Sequence, residues 1–124
     1  MDLPQPFDTF RLEKKAGEYK DFDLAADSTY SLKGVTYPVD YGDIKGYVAE
    51  DGANLDVFVG KEGSIAGCFT VSRPELPEGE HKFYLNLNEA EEQSVLKAFE
   101  LVIIEHTRFD TFEDLVRAME PFRQ

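Results

Sequence analysis

The sequence predicts a single α+β domain in which a small barrel or strongly curved sheet is followed by two helices. From residue 9 to about residue 71 the chain divides into short segments rich in aromatic and β-branched residues, separated by Gly, Asp and Pro. Short strands at this spacing are typical of small barrels. After residue 88 the apolar residues recur at helical spacing instead. The length of 124 residues suffices for one core, so we expect one domain over residues 1–124.

Three segments are the clearest strand candidates: residues 55–59, 66–72 and 82–87. Residues 21–32 are a weaker candidate, and the apolar run 101–104 predicts a strand or a buried connection. The two prolines among the first eight residues predict a loose lead-in, whereas the prolines and glycine of residues 73–80 predict a loop.

Capping residues predict where both helices begin. Asn88 followed by Glu91 is the pattern of a capping box, which predicts a helix over about residues 89–100. Thr111 is the predicted N-cap of a second helix, with apolar residues on one face, that ends at Pro121.

The composition excludes some function classes. A net charge of −12 argues against binding a nucleic-acid backbone, which requires clustered Lys and Arg. The same charge leaves three interpretations open: a solvated acidic surface, a carboxylate cluster that a cation neutralises, or an acidic surface that binds a basic partner.

Hydropathy and cysteine content bear on the compartment. No apolar run approaches the ~20 residues of a membrane span, so we expect no membrane partner. The acidic N-terminus carries no secretory or transit signal. The single cysteine, Cys68, has no internal disulfide partner and is expected to be a small core residue. These observations predict a cytoplasmic protein, and they leave a homo-oligomer open.

A turn entering the strand at residues 55–59 carries two carboxylates, Asp51 and Asp56, five residues apart. This arrangement suits a shared Mg²⁺, because Mg²⁺ prefers carboxylate oxygens. The alternative is that Asp51-Gly52 is only a turn sequence. Asp56 lies inside an apolar strand, where a charge must be paired, metal-bound or facing solvent.

A second acidic set lies on the loop before the strand at 82–87. Glu75, Glu78 and Glu80 could complete a multi-metal cluster, with Lys82 as a phosphate-binding ammonium. The alternative is an acidic loop that is only solvated surface. Upstream, the phenols of Tyr37 and Tyr41 are suitable donors to phosphate oxygens.

These residues together resemble the motifs of soluble (family I) inorganic pyrophosphatases. The family's Tyr-Pro-x-Asn-Tyr-Gly and Asp-Gly-Asp-Pro-x-Asp-Val blocks are matched at the same spacing by Tyr37, Pro38, Tyr41, Gly42, Asp51, Gly52, Asp56 and Val57. A later Asp, Asp and Lys triplet is matched by Glu75, Glu80 and Lys82, with Glu in place of both Asp. The two blocks cover roughly residues 36–85.

The resemblance implies a small five-stranded OB-like barrel, closed or highly curved, with flanking helices. It also implies Mg²⁺, with several ions bound, and hydrolysis of pyrophosphate or a related small phosphoanhydride by metal-activated water. The roles implied by position are metal ligation by Asp51, Asp56, Glu75 and Glu80, phosphate contacts by Tyr41 and Lys82, support by Tyr37, and a phosphate-binding lysine and supporting glutamate at Lys20 and Glu13.

Three departures from the family pattern predict weak or altered hydrolysis. Ala53 occupies the position of a site aspartate and can neither accept a proton nor bind metal. The arginine before the tyrosine block has no match in residues 27–33, and the late Tyr-Lys pair has none in residues 89–107. Loss of a general base costs ~10²–10⁴-fold in rate.

Two alternatives from other classes remain. One is a non-catalytic pyrophosphatase-like module that binds divalent metal, phosphate or a protein partner, and the other is an acidic protein that binds a basic partner by charge alone.

Overall fold

The computed structural model describes residues 2–124 and contains one main sheet of six strands, in the order β1-β4-β5-β7-β6-β8. Strands β2 and β3 form a separate two-stranded sheet. The strands are β1 (Arg11–Lys14), β2 (Tyr19–Asp21), β3 (Gly34–Thr36), β4 (Asp40–Val48), β5 (Asn54–Val59), β6 (Ile65–Val71), β7 (Glu80–Leu87) and β8 (Ile103–Phe109), and the helices are α1 (Glu89–Ala98) and α2 (Phe112–Met119).

The predicted five-stranded OB-like barrel, closed or highly curved, is wrong. A barrel closes only when its first and last strands pair, whereas β1 and β8 lie at opposite edges of the main sheet with four strands between them. The reason is the late part of the chain: β7 pairs in parallel with β5, and β6 and β8 extend the sheet beyond it. The fold is therefore mixed α+β with an open sheet.

Three of the predicted strands are confirmed as β5, β6 and β7, with shifts of one or two residues at their ends. The apolar run 101–104 marks the start of β8, which continues to Phe109. The strand expected at residues 21–32 is wrong, because β2 ends at Asp21 and β3 begins only at Gly34. A turn intervenes, in which the Ser28 amide donates to the Ala25 carbonyl over 2.9 Å.

Both helices begin where their capping residues predict. The Asn88 side chain accepts from the Glu91 amide, and the Glu91 carboxylate accepts from the Asn88 amide, so both halves of the capping box form. Helix α2 follows Thr111, whose hydroxyl accepts from the Asp114 amide over 3.0 Å. Neither helix within residues 2–124 is long and apolar enough to cross a membrane.

Each helix covers one face of the main sheet, which therefore has a core on both sides. On the first face Leu115 and Met119 of α2 join a cluster that includes Cys68 and Phe83. On the second face α1 contributes to a cluster with Phe58 and Tyr84. Because strand residues alternate between faces, odd-numbered residues of β5 lie on the α2 side, and Asp56 and Phe58 lie on the α1 side.

Candidate functional site

One cavity of about 330 Å³ on the α1 side of the sheet brings together the residues that the sequence singles out. Its wall includes eight of the predicted site residues, namely Lys20, Tyr37, Tyr41, Asp51, Asp56, Glu75, Glu80 and Lys82, and also Glu13 and Ala53. Glu78, the other glutamate of the predicted metal cluster, is not among the residues that line it. These residues come from β1, β2, β4, β5, β7 and the intervening loops. Their proximity is thus a result of the sheet order, not of sequence neighbourhood.

Strand register forms the floor of this cavity. Asp43 on β4 lies opposite Asp56 on β5, and Asp56 lies opposite Lys82 on β7. One row further along the strands, Tyr41 lies opposite Phe58. Residues directly opposite each other share a face of the sheet, so the row of charges and the row of aromatic rings are adjacent on the floor.

Lys82 is the buried cation of the site. Its Nζ donates to Asp56 Oδ2 over 2.8 Å and to the Tyr41 hydroxyl over 3.0 Å, and it lies 3.4 Å from Glu80 Oε2. Burial alone would lower the pKa of Lys82, but the Tyr41, Asp56 and Glu80 interactions outweigh it and hold the pKa well above its ordinary value. The ammonium therefore stays charged at neutral pH.

The two tyrosines of the motif stack on each other beside this ammonium. The ring centroids of Tyr37 and Tyr41 are 4.6 Å apart. Burial raises the pKa of Tyr37 to about 12, and it raises the pKa of Tyr41 well above its ordinary value although Lys82 opposes the shift. Both phenols are therefore hydrogen-bond donors at neutral pH.

Asp51 belongs to a tight turn and to the cavity wall at once. Its Oδ1 accepts from the Ala53 amide over 2.9 Å, and Gly52 adopts a φ of +84°, a conformation that favours glycine. The turn interpretation and the site interpretation of Asp51-Gly52 are thus compatible. The Ala53 methyl group lines the cavity where the family pattern has a carboxylate.

Sequence reasoning missed Arg73, which the structure places on the predicted metal ligands. Arg73 Nη1 donates to Asp51 Oδ2 over 3.1 Å and also to Glu80 Oε1, and Nη2 lies 3.7 Å from Glu75. The family pattern has an arginine before the tyrosine block, whereas Arg73 follows the end of β6 by two residues. Its position at the start of the acidic loop was the available signal.

The cavity wall carries more carboxylates than cations. The carboxylates are Glu13, Asp43, Asp51, Asp56, Glu75 and Glu80, and the cations are Lys20, Arg73 and Lys82. Burial and the Asp56 charge raise the pKa of Glu80 despite Lys82 and Arg73. Burial alone would raise the pKa of Asp51, but the hydrogen bonds from the Ala53 amide and from Arg73 outweigh it and lower that pKa.

The donor chemistry of the wall fits Mg²⁺, which takes carboxylate oxygens. Within residues 2–124, however, no three His, Cys, Asp or Glu side chains are grouped so that they could hold a metal ion. Instead, the side chains of Arg73 and Lys82 are paired with these carboxylates. The Mg²⁺ ligands therefore stay a prediction, and metal binding at Asp51 and Glu80 requires Arg73 to move away.

Phe99, the C-cap residue of helix α1, supplies an apolar part of the wall. Lys82 Nζ lies 5.9 Å from the centroid of the Phe99 ring. Helix α1 is held to the sheet by the buried Glu92, which accepts from Tyr84 and Arg108. The placement of Phe99 thus depends on a polar network outside the cavity.

Comparison of the chain with protein-family models, with curated proteins and with solved structures finds no match. The likeness to soluble pyrophosphatases therefore stands on the motif residues described above.

Proposed function

We propose that this chain is a pyrophosphatase-like protein that binds Mg²⁺ together with pyrophosphate or a related small phosphoanhydride, and that hydrolyses it slowly. The observation that carries the proposal is the composition of a single cavity wall. An excess of carboxylates lies there beside a buried ammonium, Lys82, and a buried phenol, Tyr41.

Charge balance supports joint binding of cation and phosphate. A wall with six carboxylates and three cations repels a free polyanion. A divalent cation removes part of this excess, so the phosphoanhydride is expected to enter with Mg²⁺ and not alone. Lys82 and Tyr41 then offer an ammonium and a hydroxyl to the phosphoryl oxygens.

Slow hydrolysis follows from the residue at position 53. When bound, Mg²⁺ supplies a Lewis acid and lowers the pKa of a coordinated water. The chain itself offers no free base at this point of the wall, because Ala53 carries a methyl group. The nearby Asp51 is held by Ala53 and Arg73, and Asp56 is held by Lys82.

The test is release of phosphate from pyrophosphate, with and without Mg²⁺, by the unmodified chain and by Ala53→Asp. We expect slow Mg²⁺-dependent release that rises in Ala53→Asp by ~10²-fold or more, the smaller end of a general-base effect. Ala90→Asp adds the same carboxylate on the exposed side of α1 and should leave the rate unchanged. Asp56→Ala should reduce it.

A second candidate function is binding of Mg²⁺ and phosphate without turnover. The specific observation that favours it is the pairing of Arg73 with Asp51 and Glu80, together with the alanine at position 53. In that case Mg²⁺ with pyrophosphate raises the melting temperature by mass action, and no phosphate is released by either protein. Release of phosphate by the unmodified chain would eliminate this candidate.

A further inference from the structure

Arg73 occupies the point where two predicted metal ligands converge. A single nitrogen atom, Nη1, donates to both Asp51 and Glu80. Asp51 comes from the turn between β4 and β5, and Glu80 is the first residue of β7. Two carboxylates from separate elements are therefore arranged around one centre of positive charge.

Burial makes this pairing more than a surface contact. The Glu80 side chain is 2% exposed and that of Asp51 is 29% exposed, so part of the interaction is shielded from water. Glu75, the third partner, is 73% exposed and contributes little. The backbone also fixes the arginine, because the Arg73 and Leu76 amides each donate to the other residue's carbonyl over 3.1 Å.

We propose that Arg73 is a built-in counter-cation of this cavity, which competes with a divalent cation for Asp51 and Glu80 and, once displaced, binds the phosphate. The inference rests on the proposed function, since it concerns the same cavity. A cation that takes both carboxylates must displace the guanidinium, which remains tethered at the cavity wall. Its planar fork then matches phosphoryl oxygens, which accept two parallel hydrogen bonds.

Competition makes a prediction that a purely structural role does not. If Arg73 only held the loop in place, its removal would weaken every ligand of the cavity. If Arg73 competes, its removal strengthens binding of the metal alone and weakens binding of a phosphate analogue in the presence of saturating metal. The two effects have opposite signs, so one variant measured with two probes separates the two roles.

The experiment is calorimetric titration of MgCl₂ into the unmodified chain and into Arg73→Gln, at constant ionic strength. We expect Mg²⁺ to bind Arg73→Gln at least about ten- to a hundredfold more tightly, the equivalent of one of the two charge-assisted hydrogen bonds that no longer have to break. In saturating Mg²⁺, methylenediphosphonate should bind the same variant about tenfold or more weakly. Neither probe requires turnover.

Arg11→Gln is the matched control. Arg11 also pairs with a carboxylate of the cavity wall, Asp43, over 2.9 Å, but its side chain is 74% exposed. Removing this charge should change the Mg²⁺ affinity less than about threefold. Arg73→Lys is a second variant, which keeps the charge and loses the planar guanidinium. It should bind Mg²⁺ more tightly than the unmodified chain and less tightly than Arg73→Gln.

The outcomes separate this inference from the proposed function. Tighter Mg²⁺ binding by Arg73→Gln than by the unmodified chain supports the inference. If the unmodified chain binds no Mg²⁺ and Arg73→Gln does, the inference is still supported, but the proposed function is overturned. Unchanged or weaker Mg²⁺ binding by both Arg73 variants, with measurable binding by the unmodified chain, overturns the inference alone. No Mg²⁺ binding by any of these proteins overturns both.

Discussion

Replacement of Glu92, a buried carboxylate on α1, tests directly how α1, and with it Phe99, is held against the sheet. Glu92 Oε2 accepts from the Tyr84 hydroxyl over 2.5 Å and from Arg108 Nε over 3.1 Å, and Oε1 accepts from Arg108 Nη2. The Glu92 side chain is 2% exposed. Glu92→Gln keeps the shape of the residue and removes its charge.

Three hydrogen bonds to one carboxylate determine the expected magnitude. A hydrogen bond to a charged group contributes about 1.5–3 kcal/mol. The amide oxygen of Gln can still accept some of these hydrogen bonds, but as an uncharged and therefore weaker acceptor. We therefore expect Glu92→Gln to lower the free energy of unfolding by ~1–3 kcal/mol at pH 7. For 124 residues, 1 kcal/mol corresponds to about 4 °C in melting temperature.

The pH dependence of the stability gives a second, independent test of the Glu92 charge. Burial alone would raise the pKa of Glu92, but the hydrogen bonds from Arg108 and Tyr84 outweigh it and lower the pKa below its ordinary value of 4.5. A carboxyl with a lowered pKa stabilises the fold above its pKa in the unfolded chain, and this contribution is lost as the pH falls through the folded value. The difference between the two proteins should therefore shrink as the pH falls below 4.5.

Urea unfolding followed by circular dichroism, repeated at steps from pH 7 downwards, measures both quantities. Glu89→Gln is the matched control, because Glu89 lies on the same helix and also accepts from Arg108, over 3.1 Å, but is 71% exposed. Glu89→Gln should lower the free energy of unfolding by less than ~0.5 kcal/mol. The reasoning is refuted if Glu92→Gln loses no more than Glu89→Gln, or if its deficit does not change with pH.

Two further predictions concern the core and the thiol. Phe58→Ala should lower the free energy of unfolding by ~3–5 kcal/mol, because the ring is fully buried and packs on Tyr41 and Phe99. Urea unfolding measures this, with Phe112→Ala at a more exposed ring as the control. Equal losses of unfolding free energy in the two variants would contradict the prediction. Burial, with the charges of Glu50 and Glu105, raises the pKa of the Cys68 thiol to about 12. Dithionitrobenzoate at pH 8 should therefore label Cys68 only in urea, and rapid labelling of the folded protein would contradict the expected burial.

Local sequence patterns predicted the parts of the fold that depend on near neighbours. The capping box at Asn88 and the cap at Thr111 involve residues three apart, so the sequence alone contains the whole interaction. The strands β5, β6 and β7 were predictable for the same reason, since alternation and flanking turns are local. The resemblance of two motif blocks predicted which of Tyr37, Tyr41, Asp51, Asp56, Glu75, Glu80 and Lys82 to look for, and all of them line the one cavity, but it predicted neither Arg73 nor Asp43.

The sheet order was not predictable in this way. Whether β8 extends the sheet beyond β6 or a short barrel closes depends on pairing between segments far apart in the chain. Residues 103–109 offer β-branched and aromatic side chains that suit either arrangement. The parallel pairing of β5 with β7 decides the outcome, because it leaves the far side of β7 for β6.

Arg73 shows why identifying carboxylates from sequence falls short of identifying a metal site. Read from the sequence, Asp51 and Glu80 are equally consistent with a bound metal ion and with a nearby cationic side chain, since either one neutralises a carboxylate that leaves water. Only the fold shows that one guanidinium reaches Asp51 and Glu80 together. Buried ion pairs of this kind add little net stability, so their stability contribution does not explain why charged groups line the cavity. The proposed exchange of Arg73 for a divalent cation would account for the pair, because Asp51 and Glu80 then keep a positive partner with and without the ligand.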